Sequence, residues 1–400
     1  NRPSRGSSVT AFGLVARSLT PFARAPRAPR RRRAFFSPAR NLTVSFAARL
    51  RAALTPSPRV VDWSLLALAT GALATGVVSL GTGHPSGALL FVGHGAIGVA
   101  LAAVLAVKLR RVRRRVTDRR LWDPATPLSI LTAVVVLAAL GTGTAWALGA
   151  EAPLWGWTLL NLHIGLGLLA VPLVLLHLRA RYRPLRRRDV EGRRDALRYA
   201  GLLLAGAVVV RGESMLARAL DTPAARARFT GSRPVEGDGN GSFPVTSWVA
   251  DDPDPVDPET WRLRVDGLVD ESLELARGDL SPDATDRALL DCTSGWYTEQ
   301  DWRGVRLGDL LAEAGVRDEA RWVTVWSVTG YRWSFPLDEA RGMLLATAVG
   351  GEPLSHGHGA PVRLVAPDRR GFQWVKWVER VELRRNRDAT QYLATLVSGL

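Results

Sequence analysis

Two residue types are scarce enough in this chain to single out: one cysteine and six histidines among 400 residues. A lone Cys292 excludes an intrachain disulfide framework, a cysteine-rich zinc site and a cysteine-ligated iron–sulfur cluster, so any thiol chemistry belongs to that residue. It stands in Asp291-Cys-Thr-Ser-Gly-Trp296, directly after the apolar Ala288-Leu-Leu290. Three of the six histidines, His94, His163 and His177, lie within long uncharged stretches, where a polar ring surrounded by lipid needs a reason to be there. His94-Gly-Ala-Ile-Gly98 and His163-Ile-Gly-Leu-Gly167 both place glycine four residues after the histidine. Two imidazoles on neighbouring helices suit a b-type haem iron, and the missing side chains would let a porphyrin edge lie against each helix. Fourteen residues further along come Lys108 and His177, and fourteen steps of about 100° return to within roughly 40° of the same face. That spacing offers a second haem position, but lysine is an unusual partner, so one outer haem through His94 and His163 is expected. His177 is then a vestige or a base at a quinol site. The plainer alternative is that these rings hydrogen-bond neighbouring helices within a membrane anchor. His84, beside Pro85 in a Gly-rich loop, reads as a loop residue.

The elements that position these groups follow from charge spacing. Residues 63–107 contain no Asp, Glu, Lys or Arg, and Gly81-Thr-Gly-His-Pro-Ser-Gly87 splits them into two apolar segments; further uncharged runs cover 124–150 and 152–178. Each matches the roughly 20 residues that cross about 30 Å of hydrocarbon as a helix. A fifth run, Tyr199 to Val210, is shorter and is expected to be either a span or an export signal. Arginine gathers before the first run, after the second (Lys108 to Arg120) and after the fourth (Arg179 to Arg198). The positive-inside rule then puts the N-terminus in the cytoplasm and delivers the C-terminal half outside, in a multi-pass protein of the cell membrane. Residues 1–58, rich in Arg, Pro, Ser and Ala, are expected to be a disordered basic arm or an over-extended reading frame, with no assigned function.

Charge divides the chain in two. Residues 1–211 carry 31 Arg and Lys against 7 Asp and Glu, and residues 212–400 carry 22 against 30. The positive charge sits on the arm and on loops flanking apolar runs, which points to a lipid bilayer and away from nucleic acid. After Arg211 alternating patterns appear, as in Trp261-Arg-Leu-Arg-Val-Asp-Gly-Leu-Val269. Strands are expected there and at Arg321–Thr329, Pro361–Ala366 and Val375–Leu383, with helical stretches near Leu307–Ala314 and Leu337–Leu344. The half contains no dinucleotide-binding glycine pattern, phosphate loop, His-Glu-x-x-His or Gly-x-Ser-x-Gly. The expected chain is therefore multidomain. An all-α transmembrane bundle of four to five helices occupies 59–180, an Arg-rich loop and fifth segment 181–215, and an α+β, β-rich domain 216–400.

Several blocks of this second half occur in the order found in one family. Phe243-Pro-Val-Thr-Ser247, Trp261-Arg-Leu-Arg-Val-Asp-Gly267, the cysteine block, Trp302-Arg-Gly-Val305, Gly350-Gly-Glu-Pro-Leu354, His358-Gly-Ala-Pro-Val-Arg363 and Lys376-Trp-Val378 resemble the molybdopterin domain of the sulfite oxidase superfamily. The likeness is strongest to the branch that includes periplasmic methionine-sulfoxide reductase catalytic subunits. The resemblance implies an oxidoreductase in which Cys292 is the sole protein ligand to molybdenum, a role suited to a soft thiolate. It also implies that His358, Arg363 and Lys376 hold the anionic molybdopterin, with Trp296, His356 and Phe229, where the matching stretch begins, as further candidates. The helical half, in turn, is similar to membrane cytochromes b that carry two haems between histidine pairs.

One departure bears on the substrate. Animal and plant sulfite oxidases and assimilatory nitrate reductases follow their cysteine with Ala-Gly-Asn-Arg-Arg, whereas this chain has Thr293-Ser-Gly-Trp-Tyr297. A pocket lined by Trp296 and Tyr297 suits a neutral sulfoxide or N-oxide, small or protein-borne, better than an anion needing a guanidinium, unless Arg303 or Arg332 substitutes. The expected machine exchanges electrons between the quinone pool and an extracytoplasmic oxygen-atom-transfer site. Its alternatives are a molybdenum enzyme on a haem-free anchor, and a sensor or assembly protein without catalysis. Gly192-Arg-Arg-Asp-Ala-Leu197 resembles a degenerate twin-arginine export signal, a feature that positive-inside topology explains equally well.

Overall fold

The computed structural model describes residues 57–152, 157–184, 186, 193–247 and 251–397. The basic arm expected at 1–58 lies almost wholly outside them. So do Gly192 and the side chains of Arg193 and Arg194 in the export motif.

Five helices come first: α1 Pro58–Leu80, α2 Ala88–Thr117, α3 Thr126–Ala147, α4 Leu159–Arg181 and α5 Arg193–Ala219. Ser57 starts α1 by accepting the Val60 amide at 3.2 Å, with Pro58 at the position where a missing N–H costs nothing. Thr158 does the same for α4 through Asn161. All five are long and apolar enough to cross a membrane. Val77, Val134, Leu168, Leu175 and Val208 remain more than half exposed. Since each such side chain gains about 1.5–3 kcal/mol on leaving water, these outward faces fit a lipid solvent. The fifth segment is longer than its twelve uncharged residues suggested. It continues as one helix past Arg211 and Glu213, and Ala200–Ala219 supplies a span.

Packing follows small residues. α1 lies on α2, α3 on α4, and α5 on α2. A methyl group at Gly206 of α5 would fall 2.7 Å from the Ala96 carbonyl oxygen of α2, so this close crossing requires glycine. At the opposite end from the β-rich half, Asp123 receives Arg181 at 2.6 and 2.7 Å and also pairs with Arg115, tying the end of α4 to that of α2. These contacts, the Arg181 hydrogen bonds foremost, hold the Asp123 carboxyl well below the usual range.

The rest of the chain builds two sheets. One runs in the order β1 (Arg233–Pro234), β5 (Trp296–Arg306), β8 (Leu344–Val349), β10 (Arg363–Val365), with β4 (Ala284–Asp291) paired to β5 and β9 (Glu352–Pro353) to β8. The other runs β3 (Leu273–Ala276), β2 (Arg262–Gly267), β11 (Val378–Arg384), β6 (Trp322–Ser327), β7 (Arg332–Pro336). Alternation does what the sequence promised in β2: Leu263 and Val265 are buried while Arg262 and Arg264 face out. Helices α6 (Leu307–Ala314), α7 (Leu337–Ala340) and α8 (Gln391–Val397) complete the half. The helix expected to reach Leu344 stops at Ala340, because Leu344 opens buried strand β8. Trp302, Trp374, Phe335, Leu263 and Leu364 are fully buried in its core.

Candidate functional site

Cys292 sits on the tip of the β4–β5 hairpin. The ladder pairs Asp291 with Tyr297, and the Cys292 amide donates to the Trp296 carbonyl at 2.8 Å, which leaves Thr293, Ser294 and Gly295 to make the turn. Gly295 closes it with a φ of +98°, the left-handed position that three-residue hairpins fill with glycine. The Sγ lies 3.4 Å from Ser294 Oγ and accepts from the Ser294 amide at 3.5 Å.

Behind the thiol is a buried ionic network. Asp291 accepts from Arg370 at 2.7 Å, Arg228 at 3.1 Å and Thr230 at 2.8 Å, while Arg370 and Ser232 donate to the Cys292 carbonyl. Asp291 and Arg370 are 2 and 3% exposed, so neither charge has water to fall back on. Asp291→Asn should therefore destabilise this half by about 3–5 kcal/mol, because it strands a buried guanidinium. Thermal unfolding checks this. Asp291→Leu combined with Arg370→Met should recover part of the loss, since apolar groups replace the most buried pair while Arg228 and Thr230 still lose their acceptor.

On the other side stand the residues expected to hold the cofactor. The His358 ring lies 4.2 Å from that of Phe243 and is fixed by Ser355 Oγ at 2.8 Å. Arg363 is buried over Trp302 and donates to the His358 carbonyl at 3.0 Å. Lys376 donates to Ser247 Oγ at 3.0 Å and the Gly357 carbonyl at 2.6 Å. Trp296 reaches Thr246 at 3.4 Å and packs near Phe243. His356 instead points its Nε2 to the Pro253 carbonyl. Phe229 stands elsewhere, edge-on to Phe91 of α2. Tyr297 faces Arg228 and the Arg226 carbonyl, because consecutive strand residues point to opposite faces and so separate it from Trp296.

Arg363, Arg370 and Lys376 each interact electrostatically with Cys292. The Nε atoms of Arg363 and Arg370 are buried without a hydrogen-bond partner among the described residues. A thiolate, a high-valent metal and an anionic pterin suit such a cationic, partly unspent donor set. The arginines proposed from the sequence are engaged with other partners. Arg303 donates to the Pro282 carbonyl at 2.9 Å, and Arg332 to Asp388 and Thr390, both at 2.6 Å. Sequence reasoning missed Arg370, Arg228 and Asp291; the one available signal was a carboxylate ending an apolar strand immediately before the lone cysteine.

Burial, and then the Arg363 charge, pushes the Lys376 ammonium down to about 7, and burial with the Arg363 and Lys376 charges pushes His358 down to about 4. An unfolded lysine titrates near 10.4. Between about pH 7 and 10 the unfolded chain thus holds a proton that the fold lacks, so cofactor-free protein should gain stability as pH rises through this window. An anion bound at Lys376 keeps the ammonium charged and should flatten the rise. Melting temperatures of cofactor-free and loaded protein at pH 7 and 9, with Lys376→Met as control, measure it.

In the helical half, His94 of α2 and His163 of α4 meet with ring centroids 5.9 Å apart and planes at 84°. Two imidazoles on opposite sides of one metal ion need about 6 Å, given metal–nitrogen bonds of about 2 Å. His163 Nδ1 lies 2.8 Å from the Ala139 carbonyl, which can only accept, so Nδ1 carries the proton and Nε2 the lone pair. Thr75 donates to the Gly71 carbonyl at 2.7 Å and lies 2.9 Å from Nδ1 of the His94 ring, which also hydrogen-bonds the Ala72 backbone. A methyl at Gly143 would come within 2.7 Å of the His163 ring, and one at Gly76 within 3.3 Å of His94. At Gly98 and Gly167 a methyl would meet nothing within 4 Å among the described residues. The inner pair differs: Lys108 is ion-paired with Asp62, and His177 Nδ1 is buried without a partner among the described residues. His84 caps its own turn through Ser86.

The buried cysteine, with cations around it and unspent donors beside it, has the makings of a site for an anionic cofactor. Residues 250–392 match the oxidoreductase molybdopterin binding domain. The chain is 35% identical to an uncharacterised oxidoreductase, YuiH, of Bacillus subtilis (strain 168) over 149 residues, 36% of this chain and 75% of that protein. It is 31% identical over 148 residues to the protein-methionine-sulfoxide reductase catalytic subunit MsrP of Gluconobacter oxydans, covering 32% of this chain and 47% of that one. Mitochondrial sulfite oxidase of Rattus norvegicus is 32% identical over 162 residues, 32% of this chain and 30% of its own. The match thus spans three quarters of the first relative and less than half of the other two. The chain belongs to the molybdopterin-binding oxidoreductase family of sulfite oxidase type, and it is an enzyme.

Proposed function

We propose that this protein is a membrane-bound molybdenum oxidoreductase that takes electrons from the quinol pool through one b-type haem between His94 and His163 and reduces a sulfoxide at Cys292. The observation that carries the reading is the contact between the halves: the hairpin bearing Cys292 rests on the start of α4, the helix that holds His163, and on Trp146 at the end of α3. In the overall reaction a sulfoxide takes up two electrons and two protons, its S–O bond breaks, and a sulfide and water leave. A quinol oxidised to quinone releases the same two electrons and two protons.

Molybdopterin, when bound, supplies two-electron oxygen-atom chemistry, and haem supplies a one-electron relay. The chain's own residues do the rest. Cys292 would hold the metal, with Ser294 donating to its sulfur. Arg363, Arg370 and Lys376 offset the negative charge of thiolate and pterin. Trp296 and Phe243 provide apolar walls. The cations near the thiol are partly neutralised by Asp291, which favours a neutral substrate over an anion. The name of the Gluconobacter relative supports a sulfoxide. The Arg and Lys distribution supports an extracytoplasmic β-rich half. The test is metal and pterin analysis of detergent-purified protein together with a redox visible spectrum. Molybdenum and one haem per chain is the expected result, and molybdenum without haem absorbance reduces the helices to an anchor.

A further inference from the structure

We infer that the membrane half positions the metal-binding cysteine, and that the Thr158–Ser294 hydrogen bond is the contact through which α4 and the cysteine turn are electronically and mechanically joined. This inference rests on the haem reading for its electronic part.

The turn is gripped from the helical side. Thr158 Oγ1 donates to the Ser294 carbonyl at 3.0 Å while accepting from the Asn161 amide that it caps. One hydroxyl therefore starts the histidine-bearing helix and holds the residue that bonds the cysteine sulfur. Gly295 touches the same surface, since a methyl there would come within 2.5 Å of Trp146 and 3.1 Å of Leu160. Trp146, at the end of α3, donates to the Gly231 carbonyl at 2.9 Å. Arg233 stacks over that indole at 3.9 Å, pairs with Glu151 at 2.8 Å, and donates to the Trp146 and Ala150 carbonyls at and just beyond the end of α3. Beside the network at Arg370, Gly83 approaches the Asp368–Arg370 backbone too closely for any side chain.

A continuous bonded route results. Cys292 Sγ meets the Ser294 amide, the Ser294 carbonyl meets Thr158 Oγ1, the Thr158 carbonyl accepts from the Leu162 amide at 3.0 Å, and Leu162 is joined to His163. A passive anchor has no need of a contact at the cysteine turn itself. Thr158 is thus a positioning residue.

Thr158→Val keeps the shape and removes the hydroxyl; Thr158→Ser restores it. Full-length protein is reduced with dithionite, desalted and mixed with methionine sulfoxide while haem reoxidation is followed. Turnover with a soluble viologen donor is measured in parallel. Thr158→Val should slow reoxidation about tenfold with the haem spectrum unchanged and a clearly smaller fall in viologen turnover, and Thr158→Ser should restore both rates. In cofactor-free full-length chain, amide exchange at 292–296 should rise in Thr158→Val while β11 stays protected. Wild-type reoxidation and exchange in Thr158→Val would overturn the inference, as would an equal fall in viologen turnover, which marks general damage. A wild-type protein without haem absorbance overturns the reading beneath it instead, and the spectrum tells the two failures apart.

Discussion

Cys292→Ser should yield a folded protein that contains no molybdenum and turns over at least about 10³-fold more slowly with any donor, the size of loss that follows removal of a residue at the reacting centre. The swap is nearly isosteric in a site 7% exposed, and the turn is held by backbone bonds that a serine keeps. Stability should therefore change by only about 1 kcal/mol. What changes is the donor. A sulfur is a far softer donor than a hydroxyl oxygen, and a soft thiolate is the ligand that a molybdenum centre would need. Metal analysis, pterin release and viologen-driven sulfoxide turnover measure the three quantities separately. Retained molybdenum with intact turnover would remove Cys292 from the chemistry.

The sequence carried this half further than it carried its details. The alternating strand β2 and the apolar runs of β6, β10 and β11 were legible, as was the order of blocks around the cysteine. Strand β5 was not, although it positions Cys292, because its inward residues include Thr298 and Gln300, both buried and hydrogen-bonded. A polar residue on the inner face hides a period-2 pattern. The Asp291–Arg370 pair joins residues 79 positions apart, a proximity that no local pattern contains. The first four helices, by contrast, and not the fifth, which runs on past Arg211 and Glu213, were readable from charge-free length alone. Their mutual packing was not, since Gly143 and Gly76 matter only because α3 and α1 lie against the imidazoles of α4 and α2.

That packing leads to the other large effect. His163→Ala should abolish the reduced-haem spectrum and lower quinol-driven turnover at least about 10²-fold, while molybdenum content and viologen-driven turnover stay near wild type. The separation follows from structure: the imidazole makes its hydrogen bond within the bundle, to Ala139, whereas contacts to the cysteine turn come from Thr158, Leu160 and Trp146. Gly143→Val reaches the same end without touching a ligand, because its Cβ would fall 2.7 Å from His163 Nδ1 and force the ring off the Ala139 carbonyl. Gly98→Ala probes the opposite case: its methyl meets no described atom within 4 Å, so on the haem reading it should lower haem content while leaving the molybdenum centre unchanged. Loss of haem in Gly143→Val and His163→Ala with a normal molybdenum centre would separate the two cofactors by helix and hairpin. An unchanged visible spectrum in His163→Ala would return the histidines to hydrogen bonding between helices.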